Sequence, residues 1–178
     1  MKDEMLKIVQ QLLNSNNRKS DNLFLLNKEN LSNIKDFKNY DFYTIFNKAC
    51  SIKVENENLL IVKKFKELPS NGCIYAFVIE NKLVKIGMTT TSLLKRFQSY
   101  NCGKSKYREN GTCSVTNYWI LHNFENYGKE IDVYTFEDTS FQSNYLFLNN
   151  IINIKPPYKE MEKILNKKAG KLLLTTQK

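Results

Sequence analysis

The stretch CIYAFVIENKLVKIGMTTTSLLKRFQSYN, residues 73–101, decides the fold. CIYAFVI (73–79) is rich in β-branched and aromatic residues and reads as a strand. Glu80-Asn81-Lys82 is polar, and LVKIG (83–87) is a second short strand, so the pair makes a hairpin. Thr89, Thr90, Thr91 and Ser92 offer N-caps, and SLLKRFQSYN (92–101) follows as a helix. The turn length decides which side chains meet. A two-residue turn at Glu80-Asn81 sends Tyr75 and Lys85 to opposite faces, because side chains alternate with period two. A three-residue turn sets Phe77 opposite Lys85, with Tyr75 as its diagonal neighbour, about 7–8 Å away and within reach of a lysine. Arg96 and Tyr100 lie four apart on the next helix and share one of its faces. One compact face then holds Tyr75, Lys85, Arg96 and Tyr100.

Upstream, Pro69-Ser70-Asn71-Gly72 is a turn, and we place a boundary there. Residues 1–70 are expected to form an N-terminal helical extension. Met5, Ile8, Val9, Leu12 and Leu13 recur at helical spacing over 4–13, and segments 23–35 and 39–50 read as short helices. Phe37, Tyr40, Phe42, Tyr43 and Phe46 are read as core. Residues 71–178 form the second part. A polar stretch over 102–114 leads to two expected strands, SVTNYWILH (114–122) and EIDVYTF (130–136). The apolar patch YLFLNNIINI within 137–157 has no clear assignment. Pro156-Pro157 then opens a last helix over 158–168. The fold class expected is α+β, a small antiparallel sheet flanked by helices.

The chain has 178 residues, 42% of them hydrophobic and 25% charged, which is ordinary globular composition. No run approaches the ~18–20 apolar residues of a membrane helix, and the first residues do not read as a secretory signal, so a cytoplasmic protein is expected. Lys and Arg number 27 against 18 Asp and Glu, a net charge of +9 that favours polyanionic partners. Only three arginines occur, at 18, 96 and 108, so each is more telling than any one lysine. The four cysteines at 50, 73, 102 and 113 include no CxxC pair, and His122 is the one histidine, so reduced, partly buried thiols are expected rather than zinc ligands. Gly103-Lys104-Ser105 mimics the end of a P-loop, but the position that needs glycine is Gln98.

The order strand, turn, strand, helix with Arg resembles the GIY-YIG nuclease superfamily. The first motif stands here as Cys73-Ile74-Tyr75 and the second as Lys85-Ile86-Gly87, followed by Thr89 and Arg96. Cys73 replaces the first glycine, with Gly72 just before it, and Lys85 replaces the tyrosine of the second motif. The second change resembles the restriction-enzyme branch, and the stretch 99–118 is also similar to a type II restriction endonuclease of that branch. The likeness covers 72–123 and, loosely, 156–168. It implies a metal-ligating glutamate on the late helix. Glu162, with Lys159 before it and Ile164-Leu165 after it, is the first choice, and Glu160 is the reserve.

What the resemblance implies is metal-dependent hydrolysis of phosphodiester bonds in double-stranded DNA. Such chemistry needs an activated water, charge neutralisation at the phosphate and help for the departing 3′ oxygen. Lys85 either favours the Tyr75 phenolate as base or is itself the neutral base while Tyr75 orients the water. Arg96 offers a fork of donors to phosphate oxygens, and Tyr100 positions the phosphate. Glu162 would hold one Mg²⁺, which Mn²⁺ can replace. Lys104, Lys106, Arg108, Asn110 and Asn117 flank this face as candidates for phosphate and base-edge contacts. A homodimer on a short palindrome, continuous or interrupted by an unspecified base, is expected, with residues 1–70 as dimer or DNA-clamping elements. The alternatives are a nuclease of low sequence specificity in repair or a mobile element, and a basic DNA-binding module without activity.

Overall fold

The computed structural model describes residues 7, 26–110, 114–141, 143–170 and 172–174, with the backbone alone at 108, 109 and 115. The helix expected over 4–13 and Cys113 lie outside the described residues. Five strands form one antiparallel sheet: β1 (Asn47–Glu55), β2 (Asn58–Lys64), β3 (Cys73–Ile79), β4 (Lys82–Thr89) and β5 (Ile131–Phe136). Their order is β2-β1-β5-β3-β4. Strands β6 (Ser143–Phe147) and β7 (Asn150–Ile154) make a separate hairpin from the apolar patch. The helices are α1 (Lys28–Ser32), α2 (Leu93–Tyr100), α3 (Ser105–Glu109), α4 (Val115–Tyr127) and α5 (Tyr158–Ala169). This is the expected α+β class.

Two assignments differ from the sequence reading. Residues 47–64 are strands β1 and β2, joined by a two-residue turn at Asn56-Glu57 with φ of 48° and 57°. Asparagine tolerates that left-handed geometry, which matches the twist of a hairpin. Both strands belong to the same sheet as β3 and β4, so the turn at 69–72 joins two strands of one sheet, and the helical reading fails beyond residue 46. Residues 115–127 are a helix instead of a strand. Tyr118, Trp119, Ile120, Leu121 and Phe124 are all buried there. A helix enclosed on most of its circumference shows no amphipathic period, and its short apolar run then mimics a strand. Gly128, with φ 71°, ends it in the left-handed conformation a helix C-terminus uses.

β3 is covered on both faces, which explains its unbroken apolar run. On one face Tyr75, Phe77 and Ile79 meet Leu93 and Phe97 of α2 and Trp119 and Phe124 of α4. On the other, Ile74, Ala76 and Val78 meet Phe37, Phe42 and Phe46 and, from α5, Tyr158 and Leu165. The aromatic set at 37–46 is therefore core, as expected, although it folds as two short 3₁₀ turns. Beyond α5 the chain wraps the free edge of β4. Leu172 sits in the second cluster, Leu173 and Leu174 in the first. The Leu174 N–H donates to the Val84 carbonyl at 3.0 Å, which covers an edge that would otherwise invite pairing.

Candidate active site

The register of the β3–β4 hairpin assembles the site. Its turn is the two-residue kind, with Glu80 and Asn81 at φ 47° and 67°. Ile79 pairs with Lys82 and Val78 with Leu83, but Phe77 pairs with Lys85. Val84 is therefore an extra residue, a β-bulge, and it shifts the register by one. Lys85 thereby shares a face with Tyr75 and Phe77, the outcome a three-residue turn would have given. Tyr75 stands opposite Gly87. A Cβ built on Gly87 would lie 2.4 Å from both Cζ and Oη of Tyr75. The glycine is there because the phenol ring lies across it.

Ser92 caps α2 by accepting from the Lys95 N–H at 3.2 Å. The helix buries Leu93, Phe97 and Tyr100 on the sheet. Arg96, one turn before Tyr100, is carried to the rim of the same face. Its Nε donates to the Tyr75 hydroxyl at 2.9 Å, and its Nη1 donates to Ser99 Oγ at 3.2 Å. The Tyr75 and Tyr100 hydroxyls are 2.8 Å apart, and the guanidinium lies 4.8 Å from the centre of the Tyr100 ring. Tyr75 and Tyr100 are fully buried and Lys85 is 7% exposed. Its ammonium donates to the Leu174 carbonyl at 3.2 Å.

Burial governs the titration of this cluster. It raises Tyr75, and the Arg96 charge and the hydrogen bonds from Tyr100 and Arg96 oppose the rise only in part. It raises Tyr100 well above the usual phenol range, with the neighbouring Tyr75 adding to the rise. It lowers Lys85 to about 8, helped by the Arg96 charge and opposed by Glu162.

Glu162 shares a face of α5 with Tyr158 and Leu165, which pack on the sheet beside β4. It is half-buried, and its charge acts on both Tyr75 and Lys85. Glu160 points elsewhere: it is exposed and pairs with Lys163 at 2.8 Å. Tyr75, Arg96 and Tyr100 thus touch, Lys85 lies on the same sheet face, and Glu162 acts on Tyr75 and Lys85 through its charge. Among the described residues no three His, Cys, Asp or Glu side chains converge. A cation at Glu162 would complete its shell with waters and phosphate oxygens, which suits Mg²⁺.

The flanking candidates fare unevenly. Asn117 is corrected: it lies on a helix, is buried, and donates to the Ser99 carbonyl at 2.8 Å, so its amide is committed to holding α2 against α4. Lys104 is half-buried and donates to Asn58. Lys106 and Asn110 are exposed, and the Arg108 side chain lies outside the described residues. Sequence reasoning missed two groups. Glu57, in the β1–β2 turn, accepts from the N–H and hydroxyl of Ser105 and so fixes the segment that carries Lys104 and Lys106. The Leu174 carbonyl anchors Lys85, and a backbone group leaves no signal in the residue pattern.

Among solved structures the chain is similar to the restriction endonuclease HPY188I in complex with product DNA, at 35% identity and a TM-score of 0.67, covering 84% of this chain and 87% of that one. A mutant of bacteriophage T4 EndoII aligns at 18% identity and a TM-score of 0.49, covering 75% of this chain and 93% of that one. No family model matches the chain, and no curated protein matches it.

Proposed function

The chain belongs to the family of the restriction endonuclease HPY188I, and from that premise we propose that it is a double-stranded DNA endonuclease of the GIY-YIG type. It cuts at a short palindrome as a homodimer and depends on Mg²⁺. The observation that carries this reading is the chain of contacts Arg96–Tyr75–Tyr100, with Lys85 on the same sheet face and the Glu162 charge acting on both Tyr75 and Lys85. Each of these side chains has an ordinary structural explanation alone. Together they offer a phosphate-binding cation, a proton acceptor and one acid in motif order.

The chemistry follows from the environments. Tyr75 is a phenol held neutral by burial, so it orients the attacking water through its hydroxyl. Lys85, at about 8, is the group that accepts the proton. About a tenth of it is neutral at pH 7. Arg96 stays charged and presents its remaining donors to phosphate oxygens, where the fork geometry matches. A cation on Glu162 would supply Lewis acidity to the phosphate and to the departing 3′ oxygen. Exposed Lys106 and Asn110 lie where DNA contacts are proposed, with Lys104 and Arg108 on the same segment.

Digestion of phage DNA with purified protein and Mg²⁺ tests the reading. Discrete fragments are expected. A smear would replace site specificity with general nuclease action, and intact DNA at every divalent cation tried would remove the nuclease assignment.

A further inference from the structure

From the segment that follows α5 we infer that Leu174 is a positioning residue, whose backbone carbonyl aims the Lys85 amine for the proposed cleavage. The inference rests on the proposed role of Lys85 as proton acceptor and adds the group that orients it. Residues 172–174 lie along the outer edge of β4. Leu172 and Leu173 are each 4% exposed, and Leu174 is fully buried. They straddle the edge, with Leu172 packing on one face of the sheet and Leu173 and Leu174 on the other.

The hydrogen bonds at Leu174 go beyond edge cover. In an antiparallel ladder, two paired residues exchange both of their backbone bonds. The Leu174 N–H donates to the Val84 carbonyl at 3.0 Å. The Leu174 carbonyl, which such a pair would return to Val84, accepts from the Lys85 ammonium at 3.2 Å instead. Val84 is also the bulge residue that puts Lys85 on the Tyr75 face, so the segment grips β4 where its register changes. Gly170 directs the chain there. It ends α5 at φ 74° and ψ −140°, a backbone conformation that a side chain strains. Because α5 also carries Glu162, one continuous stretch of chain links the proposed cation ligand to the group that holds the proposed base.

The chemistry shows why a carbonyl serves here. Lysine has a flexible four-carbon stem, and its amine samples many directions unless a partner fixes it. The neutral amine has two N–H bonds and one lone pair. With one N–H held by the Leu174 carbonyl, the lone pair turns away from that carbonyl, and its direction decides which water it can deprotonate. A carboxylate in the same place would hold the lysine in its charged form. A neutral backbone group fixes the amine without adding that charge.

Single-turnover cleavage with Mg²⁺ and binding of the same duplex without it test the inference on the full chain. Leu174→Pro removes the N–H that ties the segment to Val84 and so displaces the carbonyl. Its cleavage rate is expected to fall roughly a hundredfold while its affinity for DNA stays at the wild-type value. Leu173→Ala removes buried packing from the same segment and keeps both Leu174 hydrogen bonds. It is expected to unfold at lower urea and to cut at the wild-type rate. Equal losses of rate in the two variants, wild-type cutting by Leu174→Pro, or a loss confined to DNA binding overturns the inference. If Leu174→Pro does not fold, acylation of lysines by acetic anhydride carries the test. In wild type Lys85 is expected to react slowest among the described lysines, far behind exposed Lys95 and Lys159. Gly170→Ala strains the turn into the segment, and no described atom lies within 4 Å of its added methyl group. It should speed Lys85 and leave Lys95 and Lys159 unchanged; a Lys85 that labels like Lys159 in wild type, or is unmoved by Gly170→Ala, overturns the inference. The labelling is independent of cleavage. A wild type that cuts nothing while its Lys85 labels as expected sinks the nuclease proposal and leaves the grip standing; one that cuts, with Leu174→Pro cutting equally well, sinks this inference alone.

Discussion

Replacing Lys85 by methionine should make the protein more stable while it stops cutting. The lysine is buried, and its pKa falls from the ordinary 10.5 to about 8. The unfolded chain therefore binds a proton more tightly than the folded one. At pH 7 both states are charged, and holding that charge inside costs roughly 3 kcal/mol, at 1.36 kcal/mol per pKa unit. Methionine has a similar length and no charge, so it removes the cost. It also leaves the Leu174 carbonyl without its donor, which takes back about 1–2 kcal/mol. The expected net gain at pH 7 is about 1–2 kcal/mol. The pH dependence is the sharper signature. Between pH 8 and 10.5 the unfolded wild type keeps a Lys85 proton that the folded state has released, so the contribution of Lys85 to stability rises with pH across this window. The advantage of Lys85→Met should shrink by roughly 3 kcal/mol over that span. Urea unfolding at several pH values, with plasmid cleavage alongside, measures both. A variant less stable than wild type at pH 7, with an unchanged slope above pH 8, would refute the reasoning.

Two other outcomes follow from packing. Gly87→Ala puts a methyl group into the Tyr75 ring, so it should cost about 1–3 kcal/mol in unfolding and abolish cleavage, both measurable on the same preparation. Among the described thiols, burial lifts Cys50 and Cys73 to about 12 while Cys102 is exposed. With an aromatic disulfide reagent at pH 8, the native-state reaction assigned to these three should fall on Cys102, as peptide mapping would show; prompt labelling of Cys73 would contradict the buried first strand.

The centre of the fold was legible because its signals are local. The hairpin, Ser92 as cap, the two prolines before α5 and the Arg96–Tyr100 spacing all act within a few residues. Where the reading failed, a longer-range contact decides. β1 is a strand because β5 and β2 flank it, and its four successive buried residues Ala49, Cys50, Ser51 and Ile52 show no alternation. α4 is a helix enclosed on most sides, so Tyr118 to Leu121 form a run without a period. The meeting of Tyr75 and Lys85 depended on a bulge at Val84 that turn chemistry alone does not announce. Asn117 looked like a base reader because it falls in the polar, lysine- and asparagine-rich segment beside the active face, and sequence does not show which of its amides turns inward. Its burial beside Gly103, where a Cβ would strike the backbone of Asn117 at 2.4 Å, is a tertiary fact.

The proposed cleavage depends on one carboxylate, Glu162. Cleavage of duplex DNA should be measured against Mg²⁺ concentration for wild type and for Glu162→Gln, with Glu160→Gln as the exposed control. Binding of uncut DNA should be followed in the same samples. Glu162→Gln is expected to bind DNA and fail to cut at any Mg²⁺ concentration that saturates wild type, while Glu160→Gln cuts normally. Unchanged cleavage by Glu162→Gln would contradict the site.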